Sequence, residues 1–138
     1  MSAAVQKYKL VFFTPRTSTQ AILKHLFARF PNHVGRIGAY GGCAFVSPGT
    51  GQFAPLEGAH PAIGEIGKPE HVDEDRVEVL VLGVPPATPT NATNATNAGA
   101  SGASGAGEGV DVRSVLRELK EVHPYEEVAY DVYRLEDF

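Results

Sequence analysis

The sequence predicts an α+β fold in which one four-stranded antiparallel sheet carries two helices on one face. Three observations predict it. Runs of β-branched and aromatic residues at 8–13, 76–82 and 128–135 have the composition and spacing of strands. Two segments, one before residue 31 and one after residue 111, repeat apolar residues at helical spacing. The order strand, helix, strand, strand, helix, strand is that of two strand-helix-strand halves merged into one sheet.

The first strand is Tyr8-Lys9-Leu10-Val11-Phe12-Phe13, ended by Thr14-Pro15, where proline removes a ladder donor. The first helix follows. Thr17-Ser18-Thr19-Gln20 fits a capping box, and Ile22, Leu23, Leu26, Phe27 and Phe30 form one apolar face up to Pro31. Residues 36–56, rich in glycine and aromatics, suit an irregular strand with bulges or a long hairpin. The acidic run Glu70, His71, Asp73, Glu74 and Asp75 reads as a solvated hairpin face, since it lacks the alternating ligands and closing glutamate of a calcium loop.

Residues 76–82 alternate and then turn wholly apolar, as in a strand partly covered by helices. Residues 85–109, almost entirely Pro, Thr, Asn, Ala, Gly and Ser, have too little apolar surface to offset ordering entropy and are expected to be a disordered insertion. Its two Asn-Ala-Thr sequons, at Asn91 and Asn94, read as chance matches in a repeat. Asp111 caps a second helix with the face Val112, Val115, Leu116, Leu119 and Val122, stopped by Pro124. The last strand covers 128–135. This is the ferredoxin-like βαββαβ arrangement in a single domain, 1–138. Its second sheet face is bare. With Tyr8, Phe12 and Tyr130 to distribute over two faces, an exposed apolar patch and self-association are expected.

A net charge of −4 supplies no basic stripe, which argues against nucleic acid. No apolar run approaches the roughly 20 residues that span a bilayer, and no signal-like apolar segment follows Met1, so a cytoplasmic protein is expected. The single cysteine, Cys43, reads as packing.

Two stretches are more specific. Gly35-Arg36-Ile37-Gly38-Ala39-Tyr40-Gly41-Gly42-Cys43-Ala44-Phe45, running on to Gly49-Thr50-Gly51-Gln52-Phe53-Ala54-Pro55, and His123-Pro124-Tyr125-Glu126-Glu127 resemble signatures of the YqfO-like insert domain of the Nif-three family, often catalogued as GTP cyclohydrolase type 2-like proteins. The segment from Glu57 to Gly67 and residues 72–79 run in the family's order. Val128 follows the Glu-Glu pair where the family usually has proline. The resemblance implies a CutA-like fold and, by similarity to CutA, a homo-oligomer, trimer or dimer. Long members of the family bind a pair of metals in a larger domain whose halves have no counterpart here. A dinuclear site needs several ligands about 3.5–4 Å apart on a rigid frame, and five histidines without a His-x-x-His pair do not build one.

The candidate ligand contacts are Gly38, Tyr40, Cys43, Phe45 and Tyr125. The glycine-rich run offers amides for an anion, although glycine also serves turns, and Tyr40 and Phe45 read primarily as packing residues. The candidate metal ligands are His60, Glu65, His123, Glu126 and Glu127, a borderline set suited to zinc or copper. At His123–Glu127 the plainer reading is a turn with Tyr125 anchored through a paired hydroxyl. These features favour an oligomeric binding or regulatory module holding a small molecule or metal at subunit clefts, not a self-sufficient enzyme. The alternatives are a metal-dependent hydrolase acting on nucleotides and a module that docks a protein partner on its open sheet.

Overall fold

The structure, a computed structural model, describes residues 5–85 and 109–138. The expected insertion and its sequons therefore lie outside the described residues except at its two ends. Six elements follow in order: β1 (Gln6–Pro15), α1 (Thr19–Arg29), β2 (Phe45–Phe53), β3 (Glu70–Gly83), α2 (Val112–Val122) and β4 (Tyr130–Arg134). The strands form one antiparallel sheet in the order β2-β3-β1-β4. Both helices pack on one face, as the sequence predicts.

Period two decides which side chains meet them. Tyr8, Leu10 and Phe12 of β1 and Val77, Val79 and Val81 of β3 join Ile22, Leu23 and Leu26 of α1 and Val115 and Leu119 of α2 in one buried cluster. The opposite face therefore differs from expectation. Tyr8 and Phe12 are buried under the helices, and Tyr130 packs at the edge of that same core. The open face mixes Phe13, Leu80 and Leu82 with ion pairs from Glu78 to Lys9 at 4.0 Å and to Arg76 at 3.3 Å. Phe45 and Tyr133 are exposed on this same face, so charges and large apolar side chains share it.

Three local expectations are also corrected. No side-chain cap forms at Ser18; instead the Thr19 hydroxyl donates to Asp75 Oδ2 at 2.6 Å. Asp75 is buried, and an unpartnered buried carboxylate costs more than a missing cap. The acidic run is not a solvated hairpin but the first part of β3, paired along its length with β2, and both Glu74 and Asp75 are buried. Tyr40 and Phe45 do not pack: Tyr40 is 75% exposed beside the tight Ile37–Tyr40 turn, and Phe45 is 66% exposed on the open face of an edge strand that nothing covers.

At α2, Asp111 Oδ1 accepts from the Arg113 amide, the cap expected. Just before it the chain is pinched. Val110 N–H donates to the Leu82 carbonyl and Val84 N–H to the Val110 carbonyl, both at 3.0 Å. A Cβ at Gly109 would collide with the backbone of Gly83, so glycine permits this approach.

Candidate functional site

One end of the sheet gathers the end of β1, the end of β2, the early part of β3 and the start of β4. There the turn after α2 and the loop after β2 wall a cleft of about 420 Å³. The turn is tied down first by His123, 6% exposed. Its Nε2 lies 2.7 Å from the Phe13 carbonyl and its Nδ1 lies 3.0 Å from the Tyr125 amide. A carbonyl only accepts and an amide only donates, so Nε2 carries the proton and Nδ1 accepts. Burial holds the imidazole below its ordinary pKa, against the opposing pull of the Phe13 bond and the Glu74 charge.

Tyr125 comes next. Its ring lies 5.2 Å from His123 and 5.9 Å from Phe53, both tilted. Its hydroxyl donates to Glu74 Oε2 at 2.8 Å. Burial, then the bond and charge of Glu74, push the phenol well above its usual range. Glu74 is 9% exposed, and the bond from Tyr125 is the only hydrogen bond to its carboxylate among the described residues. Room for it is made across the strand. Glu74 pairs with Gly49 in the β2–β3 register, and a Cβ at Gly51 would coincide with the Glu74 carboxylate.

The far wall is apolar, with Pro55, Leu56, Pro61 and Ile63 from the loop after β2. That loop is fastened by the His60 amide, which donates to Glu126 Oε1 at 3.0 Å. Among the described residues, every ionisable group lining the cleft is an acid: Glu74, Tyr125, Glu126 and Glu127.

Of the residues named from sequence, Tyr125, Glu126 and Glu127 line this cleft. His123 stands behind it with both nitrogens engaged, and His60 meets it through its backbone. Glu65 is exposed and pairs with Lys68 at 3.2 Å. Among the described residues, no three His, Cys, Asp or Glu side chains come together as a metal site. Gly38, Tyr40, Cys43 and Phe45 belong to the other motif, at the opposite end of the sheet, where Gly35 N–H donates to the Leu80 carbonyl. Within one chain the two motifs do not meet. The glycine-rich run also spends amides internally: Ile37 and Tyr40 bond each other's carbonyls, and Cys43 bonds Gly35.

Sequence reasoning passed over Glu74, Phe13 and Phe53. Glu74 is hidden in an acidic run, and the signal for it is indirect, a glycine at 51 on the neighbouring strand where a side chain would take its place.

No protein-family model matches the chain. Among curated proteins, the GTP cyclohydrolase 1 type 2 homolog of Mycobacterium tuberculosis is 35% identical over 127 residues, 92% of this chain and 26% of that protein. The Bacillus subtilis homolog is 38% identical over 102 residues, 74% of this chain and 20% of that protein. Among solved structures, a Bacillus cereus protein related to NIF3 matches with a TM-score of 0.63 and 32% identity, over 99% of this chain and 27% of the other. The chain thus spans about a quarter of the length of the relatives it matches. Sequence and fold together place it in the NIF3-related family of GTP cyclohydrolase 1 type 2 homologs, as the counterpart of that quarter.

Proposed function

We propose that this domain is a ligand-binding module and that the cleft at the end of the sheet is its binding site. The observation that carries this reading is the cleft itself, an apolar hollow of about 420 Å³ with the Tyr125–Glu74 pair built into its wall. Such concave, mostly apolar sites with a few fixed polar groups are the usual form of small-molecule pockets.

Binding is favoured over catalysis by the state of the titratable groups. The imidazole of His123 has no free lone pair, because Nδ1 is taken by Tyr125 N–H. Tyr125 holds its proton far above neutral pH and gives its hydrogen bond to Glu74. Neither is placed to exchange a proton with a substrate. The nucleotide chemistry in the relatives' name has no support from this cleft.

The test is a melting-temperature screen against metals, nucleotides, amines and carboxylic acids, repeated on Ala129→Trp, which fills the cleft from the start of β4. A ligand that binds the native state must raise the melting temperature. At least one compound is expected to stabilise the protein and to lose that effect in Ala129→Trp. Shifts that persist in the filled variant would place binding elsewhere and sink the reading.

A further inference from the structure

Resting on the binding reading, the ionisable groups and rings of the cleft say what charge its occupant carries. Glu74, Glu126 and Glu127 line it, and among the described residues no lysine, arginine or histidine side chain does. Glu126 already accepts from the His60 amide. Glu74 is nine-tenths buried and satisfied on one oxygen only. Three aromatic rings, Phe13, Phe53 and Tyr125, border the same space, with Phe53 and Tyr125 in a tilted pair. An aromatic ring presents a negative face, and rings combined with carboxylates form the cages that hold alkylated ammonium groups. Phe13 already shows this affinity: the Arg76 guanidinium lies 6.0 Å from its centroid, on the neighbouring surface.

An anion meets the opposite conditions. A nucleotide triphosphate entering here would face three carboxylates, with the nearby Arg76 guanidinium outside the cleft on the neighbouring surface, and like charges at close range repel strongly in a partly desolvated site. An uncharged apolar molecule would fill the hollow but cover the charge of Glu74 with nothing of opposite sign beside it.

We propose that the cleft recognises a small organic cation, an alkylated ammonium whose head lies among Phe13, Phe53 and Tyr125 against the carboxylates of Glu74 and Glu127. The apolar loop wall covers the rest of the molecule, and the acids set the charge.

The experiment is an amide NMR titration of the full chain with three probes: choline, its uncharged carbon isostere with a tert-butyl group in place of the trimethylammonium, and GTP. Choline is expected to shift the amides of Phe53, Ala59, Tyr125 and Glu127, and to bind about tenfold or more tightly than the isostere, the weight of one partly desolvated cation–π contact beside a carboxylate counter-charge. Glu74→Gln keeps an acceptor for Tyr125 and is expected to abolish most of that preference. Glu127→Gln, at an exposed position, is expected to reduce it with the fold of the unliganded protein kept. Equal or tighter binding of the isostere or of GTP at the same amides overturns the cation assignment and leaves the binding site standing. Silence of these amides with all three probes overturns the assignment as well, and the broader screen on Ala129→Trp then decides separately whether the cleft binds anything.

Discussion

Replacing Gly51 by alanine tests the geometry of the site without touching any polar group. The new Cβ would occupy the place of the Glu74 carboxylate. Glu74 is flexible enough to swing aside, but swinging breaks its bond from Tyr125. A hydrogen bond to a charged group contributes about 1.5–3 kcal/mol. Against that loss, Gly→Ala in a strand that tolerates it restrains the unfolded chain and contributes about 0.4–1 kcal/mol. Gly51→Ala is therefore expected to destabilise by about 1–2 kcal/mol. In a Glu74→Ala background the obstruction is gone and only the favourable term remains, so the same change should stabilise by up to about 1 kcal/mol. Urea unfolding of the four proteins, with unchanged slope, reads both values. The diagnostic is the reversal of sign. If Gly51→Ala has the same effect in both backgrounds to within about 0.5 kcal/mol, the two sites are independent and the account of Glu74 is wrong.

Tyr125→Phe leaves buried Glu74 without its donor and should cost about 2 kcal/mol in urea, with the melting of Glu74→Ala/Tyr125→Phe close to that of Glu74→Ala alone. His123 is held below its unfolded pKa of about 6.5, so the unfolded chain binds the extra proton: its contribution is complete above that pH and is lost as pH falls through the folded value. The urea midpoint should fall from pH 7 to pH 5 more steeply in the parent than in His123→Gln. Thr19→Val removes the donor to buried Asp75 and should cost about 1–3 kcal/mol, whereas Thr19→Ser should cost under 1. Leu119→Ala, at a fully buried position between α2 and the sheet, should cost about 2–5 kcal/mol.

What could be read in the sequence was what repeats. β1, α1 and α2 announce themselves through apolar residues at fixed spacing, because burying one face is the reason they form. β2 has no such pattern: Ser47-Pro48-Gly49-Thr50-Gly51 is poor strand sequence, acceptable only because the strand lies at the edge and must leave space beside Glu74. The early part of β3 was hidden for the complementary reason, since an acidic strand is viable only when Thr19 and Tyr125, distant in sequence, supply the donors. The turn at His123–Glu127 was legible as a turn with Tyr125 anchored through a paired hydroxyl, and that pairing is found, with Glu74; the bonds of His123 were not legible. Histidine and carboxylates in one short stretch suggest metal ligands until the partners of each nitrogen are known, and those partners, Phe13 and Tyr125, are a backbone carbonyl and a backbone amide that no side-chain pattern encodes.

The pinch at Gly83 and Gly109 has a practical meaning. Two hydrogen bonds bring the chain back to within one strand spacing of where it left β3. The sheet and α2 therefore meet the same boundary whatever polypeptide joins the two sides, and the free energy of closing that connection grows only as the logarithm of its length, roughly 0.6 kcal/mol per doubling. A short glycine-serine bridge, a peptide tag or an entire folded reporter with neighbouring termini could be carried there, on the far end of the sheet from the cleft. The domain is thus a socket, able to display an unrelated sequence while the cleft at the other end of the sheet stays undisturbed.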